Sequence, residues 1–158
     1  MQVPTRMKIH NALSVDLISA KYTSSFKQAD TLSLPERRDL INLLNTSYSH
    51  WGIDQVFEHY PCTKQLYVFR LWTDNQLIAS RQILLVDSYE AAPEWSVEMA
   101  HALSIHHFAI GSRAIVHPNY RNQGLGHMLV RKINQTVFST QNISAILGSS
   151  TSIGALSL

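Results

Sequence analysis

From residue 33 onward, apolar and polar positions fall into alternating helical and strand-like blocks. Leu40, Ile41, Leu43, Leu44 and Tyr48 share one helical face behind Ser33-Leu34-Pro35-Glu36. Serine caps a helix, proline suits its first turn, and Glu36 stands at the capping-box spacing, so a helix is predicted over about 34–49. Gly52 and Pro61 bracket a second short helix, with Ile53, Val56, Phe57 and Tyr60 as its buried side. Segments 65–72 and 77–86 are rich in aromatic and β-branched residues and predict two strands. Thr73-Asp74-Asn75-Gln76 between them is turn chemistry, which makes the pair a hairpin. The connection over 87–101 is long for a loop, and 93–100 within it reads as a helical turn that covers a cleft. A strand over 105–116, a helix to about residue 140 and a last strand over 143–148 complete the pattern. The first 32 residues are less patterned. There, 7–10 and 17–22 are alternative short strands.

One stretch, 113–131, carries more chemistry than the rest. Ala114, Ile115 and Val116 continue a strand, which His117-Pro118-Asn119 breaks, since proline removes a donor and restricts the residue before it. Leu125, Met128, Leu129 and Ile133 then form the apolar stripe of a helix. Between strand and helix lies Arg121-Asn122-Gln123-Gly124-Leu125-Gly126. Two glycines at the mouth of a helix leave successive N–H groups uncovered, and the positive end of the helix dipole adds to them. Phosphate or pyrophosphate suits such a site. A Gly-x-Gly at this place also serves as a plain tight turn. It lacks the third glycine of the dinucleotide fingerprint and the Gly-Lys-Ser/Thr of a P-loop.

Composition narrows the class. The chain has 158 residues, enough for a single domain over 1–158 with one sizeable core. Hydrophobic residues are 45% and charged residues 15%, which excludes a disordered chain. A formal charge of +2 argues for neither nucleic acid nor an anionic membrane as partner. Cys62 is the single cysteine, so no intramolecular disulfide framework or multi-cysteine metal site is expected. The eight histidines form no recognised metal constellation, and no metal is expected. No apolar run approaches the roughly 20 residues that span a bilayer, and the N-terminus lacks a signal-peptide core. The chain reads as cytoplasmic, and its Asn-x-Ser/Thr triplets at Asn45, Asn134 and Asn142 as chance matches.

Arg121-x-x-Gly124-x-Gly126, led in by Val116-His117-Pro118 and followed by an amphipathic helix, resembles the acyl-coenzyme A signature of the GNAT superfamily of N-acetyltransferases. The element order over 34–158 is similar to the GNAT fold, an α/β (α+β) fold with a central mixed sheet whose fourth and fifth strands run parallel and then splay. The resemblance implies acetyl-coenzyme A as co-substrate. Pyrophosphate would lie on the amides of Arg121, Asn122, Gln123, Gly124, Leu125 and Gly126, and the pantetheine arm along the backbone of Ile115 and Val116. It implies direct attack by an amine, with a base to take its proton, often through water.

Relatives often carry a glutamate four to six residues before the position of Val116. Here that window holds Ile110, Gly111 and Ser112. Substitutes are His106 and His107, expected on the same strand, and Glu94, Glu98 and His101 before it, since histidine titrates near neutral pH. Ser149, Ser150, Thr151 and Ser152 sit where the family places contacts to the thiol, and Ser150 is a candidate to protonate it. Serine-rich turns are also ordinary caps. His117 and His127 flank the loop, and Trp95 is the aromatic best placed to line a pocket.

Members of the superfamily usually continue into another helix and two strands, often with a tyrosine near the sulfur. Here Leu158 is the last residue and no tyrosine follows Tyr120. The chain is therefore expected to be C-terminally short and to assemble as a homo-oligomer, a dimer in the simplest case, since a missing strand leaves an open edge. The leading function is an N-acetyltransferase acting on a primary amine of a small molecule or peptide. A non-catalytic acyl-coenzyme A binding module and a phosphate-binding regulatory domain are the alternatives.

Overall fold

A computed structural model describes residues 22–47, 66–86, 92–140 and 142–148. Its elements in chain order are β1 (Thr23–Gln28), α1 (Leu34–Asn45), β2 (Leu66–Thr73), β3 (Gln76–Val86), α2 (Glu94–Ala102), β4 (Phe108–Val116), α3 (Leu125–Thr140) and β5 (Ala145–Leu147), with short 3-10 turns at Ala29–Thr31 and Pro118–Tyr120. The five strands form one mixed sheet in the order β1-β2-β3-β4-β5. The first four are antiparallel neighbours, and β5 runs parallel to β4 from Phe108↔Ala145 to Ile110↔Leu147.

Local chemistry explains most boundaries. Ser33 Oγ accepts from the Glu36 N–H at 3.4 Å while Glu36 Oε2 accepts from the Ser33 N–H at 2.8 Å, so the capping box forms as expected. Helix α1 ends at Asn45 and not near 49, because the Thr46 hydroxyl and N–H both turn back onto the Leu43 carbonyl. Asp74 and Asn75 both have positive φ, 47° and 64°, which makes the β2–β3 connection a type I′ hairpin. Helix α2 replaces the expected helical turn. Strand β1 was not foreseen: Thr-Ser-Ser-Phe-Lys-Gln has one apolar side chain, Phe26, which stacks on Tyr67 at 5.1 Å. Segment 7–10, residues 17–21 of the alternative strand and the predicted helix between Gly52 and Pro61 fall outside the described residues, as does Cys62.

Side chains that alternate along the strands fill two cores, one on each face of the sheet. On one face Leu40, Leu43 and Leu44 of α1 pack with Val68, Leu84, Phe108 and Ile110. On the other, Leu125, Leu129, Ile133 and Val137 of α3 pack with Phe69, Ile83 and Ala109. That four-residue period is the stripe that predicted the helix, with Met128 only partly buried. Arg70 is 2% exposed on the α1 face; it donates to Glu36 Oε1 at 2.8 Å and lies 4.7 Å over the Trp72 ring. No helix among the described residues is long and apolar enough to cross a membrane.

Candidate functional site

Strand β4 is irregular where the family resemblance would seat the coenzyme arm. Ser112 pairs with Gln82 but Ile115 pairs with Ser80, so β4 advances three residues while β3 advances two. The extra residue is a β-bulge at Arg113-Ala114, with Arg113 at φ 51°. Backbone edges follow from the hydrogen bonds at either end. The Ser144 N–H donates to the His107 carbonyl at 2.7 Å, which turns His107, Ala109 and Gly111 towards β5. Beyond the bulge the His117 N–H donates to the Ile78 carbonyl at 2.7 Å, so His117 and Ile115 face β3 and Val116 faces outwards. Of the two residues expected to hold the arm, only Val116 thus presents its backbone to the side on which β5 lies. Ile115 presents its backbone to β3 instead, because the bulge resets the alternation.

After Val116 the chain turns through Pro118–Tyr120 into the loop. Asn122 (φ 59°) and Gly124 (φ 77°) are both left-handed, which points successive N–H groups towards a common concavity. The first helical bond runs from the Met128 N–H to the Gly124 carbonyl at 3.1 Å, so the N–H groups of Leu125, Gly126 and His127 precede the helical ladder. A side chain at Gly124 would meet nothing within 4 Å, and a Cβ at Gly126 would meet only Val116 Cγ2, at 4.0 Å. Neither glycine is there to make room for protein. Gly124 supplies its φ, and Gly126 leaves a bare backbone at the mouth of the helix, as a phosphate cradle requires. From Gly124 a groove of about 820 Å³ continues along α3 past His127 to Arg131 and Lys132, and these two cations give it a positive lining.

Arg121 does not point freely into this concavity. Its Nε donates to the Val116 carbonyl at 3.0 Å and its Nη2 to Ser47 Oγ, so it ties the loop to β4 and to the end of α1. His117 Nδ1 accepts from the Asn119 N–H at 3.2 Å, a cap on the 3-10 turn. It also borders a smaller groove of about 360 Å³ with Asp39, Asn42, Asp74 and Asn75, which lies between α1 and the hairpin turn and had no sequence signal.

The candidate bases do not converge on the loop. His106 and His107 precede β4 and are not on it, since the strand begins at Phe108; both are exposed. At about 3.3 Å per residue they stand roughly 20 Å from the bulge, at the opposite end of the strand from the loop. Glu94, Glu98 and His101 belong to α2, which leads into that same far end. Ser150 and its neighbours lie outside the described residues. Among the described residues no group of three or more His, Cys, Asp or Glu side chains is placed to hold a metal ion.

A mixed sheet with a bulged strand, a left-handed loop and an open helix mouth beside a parallel strand define the class of an α+β protein. The chain belongs to the acetyltransferase (GNAT) family, whose model matches residues 37–152. No functionally curated protein sequence matches it. Solved structures share the fold at low identity. An aminoglycoside acetyltransferase from an uncultured soil metagenomic sample, in complex with trehalose, is 14% identical over 89% of this chain and 85% of that one, with a TM-score of 0.61. A ribosomal-protein-alanine N-acetyltransferase from Brucella melitensis is 14% identical over 84% and 82%, at 0.55. Glucosamine-6-phosphate N-acetyltransferase from Arabidopsis thaliana is 12% identical over 84% of each chain, at 0.55.

Proposed function

We propose that this protein transfers an acetyl group from acetyl-coenzyme A to a primary amine of a small molecule or peptide. The observation that carries the reading is the loop from Arg121 to Gly126, where two left-handed residues and an open helix mouth gather backbone N–H groups at the outer edge of β4. Those amides hold the pyrophosphate, the Val116 N–H aligns the arm, and Arg131 and Lys132 along the adjoining groove suit the nucleotide end. The bound donor supplies an activated acyl carbon; the amine nitrogen bonds to it, the carbon–sulfur bond breaks with its electron pair on sulfur, the amine proton leaves to a base or to water, and the thiolate takes a proton and departs as coenzyme A. The groove bearing Asp39 and Asp74 offers carboxylates to an incoming ammonium. Trp95, Met99 and Leu103, four residues apart and exposed on and just after α2, support self-association into a dimer; light scattering that shows a monomer at micromolar concentration removes that part.

Calorimetric titration with coenzyme A, followed by thiol release with a panel of amines, tests the reading. Failure to bind coenzyme A overturns it. A second reading, a non-catalytic acyl-coenzyme A binding module, is favoured by Ile110, Gly111 and Ser112 standing on β4 where relatives carry a carboxylate. Binding without thiol release from any amine selects that reading.

A further inference from the structure

The bulge is bracketed by two buried polar side chains that each keep one polar atom without a partner among the described residues. Gln82 pairs with Ser112 before the bulge and Ser80 pairs with Ile115 after it. Both are 0% exposed, and Gln82 Nε2 and Ser80 Oγ have no hydrogen-bond partner among the described residues. They share one face of the sheet, that of α1, as do Leu84 two residues on and Val68 directly across from Gln82. The amide has a fixed direction. Arg113 Nη1 donates to Gln82 Oε1 at 2.6 Å, and a guanidinium can only donate, so the oxygen must face Arg113 and the NH₂ must face away from it. A buried donor left unmade is costly, and a core position filled only for packing would carry an apolar residue.

We propose that Gln82 is a donor to the acyl end of the coenzyme, with Nε2 hydrogen-bonded to the thioester oxygen and Ser80 Oγ beside it. The inference rests on the proposed function above, because it needs the arm to run back along β4 from the loop to the bulge. Strand geometry supports that path. The bulge lies three residues before His117, so an arm anchored at the loop and aligned on Val116 ends beside Arg113-Ala114. An oriented donor shielded from water acts strongly on a carbonyl whose oxygen gains negative charge as the amine adds. Arg113 is then a positioning residue, since it acts by fixing the amide.

The test compares coenzyme A with acetyl-coenzyme A, so that no acceptor needs to be known. The wild-type protein is expected to bind acetyl-coenzyme A about tenfold more tightly than coenzyme A, as one buried hydrogen bond would give. The carbonyl stretch of bound acetyl-coenzyme A labelled with carbon-13 at the carbonyl is expected below its solution frequency. Gln82→Met, close in shape but without a donor, should abolish both the preference and the frequency shift while coenzyme A affinity stays within twofold. Ser80→Ala is the second variant, should Gln82→Met fail to fold, and is expected to reduce the preference in part. A wild type without the preference or the shift, or a folded Gln82→Met or Ser80→Ala protein that keeps both in full, overturns the assignment. Failure of coenzyme A itself to bind the wild type overturns instead the proposed function on which it rests.

Discussion

Arg121 Nε stands 3.0 Å from the Val116 carbonyl oxygen, so the arginine of the loop closes back on the last residue of β4. With its second bond to Ser47 Oγ it acts as a clasp on the loop and not as a free charge. Arg121→Lys loses the fork that reaches both partners at once. Coenzyme A affinity is expected to fall about fivefold, the worth of roughly 1 kcal/mol of loop ordering. Unchanged affinity in a calorimetric titration would show that the clasp does not organise the site.

Gly126 separates folding from binding more cleanly than Gly124, whose φ of 77° would strain any substitute. Gly126→Ala meets only Val116 Cγ2, at 4.0 Å, and is expected to raise stability by about 0.5–1 kcal/mol through helix propensity. Gly126→Leu should keep the melting temperature within a few degrees yet lose coenzyme A binding, because the side chain covers the helix mouth. A Gly126→Leu protein that binds normally would sink the amide cradle.

Glu36 couples the capping box to the buried Arg70. Burial by itself would raise its pKa, but the Ser33 N–H, Lys27 and Arg70 outweigh this and bring it down to about 2 from an ordinary 4.5. A carboxylate held below its unfolded value adds stability that is fully present above pH 4.5 and is lost as the pH falls towards 2. Denaturant midpoints should therefore drop across that window in the wild type and much less in Glu36→Gln. At neutral pH Glu36→Gln should cost about 3 kcal/mol, since Arg70 is left buried without its carboxylate. Equal acid sensitivity of the two proteins would refute the coupling.

Gly111 gives its space to Arg81, whose Nη1 crosses to Asn134 Oδ1 of α3 at 2.9 Å. A Cβ at this position would overlap Arg81 Nη2, so Gly111→Ala must swing the guanidinium aside. The expected cost is about 1 kcal/mol, because the far end of a flexible side chain moves and one hydrogen bond is lost. In an Arg81→Met background the same substitution should be nearly neutral, a coupling that a double-mutant cycle reads directly. Equal costs in both backgrounds would mean that Arg81 is not what the glycine accommodates.

What the sequence determined by itself was everything set by neighbours along the chain. Ser33 and Glu36 specify a capping box three residues apart, Asp74-Asn75 a tight turn, and Leu125, Leu129 and Ile133 a helix face, because caps, turns and periods need only local partners. The loop from Arg121 to Gly126 was legible for the same reason: left-handed backbone and an open helix mouth are written in a few consecutive residues. Strand β1, nearly without apolar side chains, was not legible, since its pairing with β2 supplies what its own composition lacks. Tertiary structure alone decided that β4 bulges at Arg113-Ala114 and that Ile115 turns its backbone to β3. It also put His106 and His107 before the start of β4, at the end away from the loop. Gln82 and Ser80 came to bracket the bulge in the same way. These depend on register against strands distant in the chain, and a shift of one residue in that register moves every side chain to the other face.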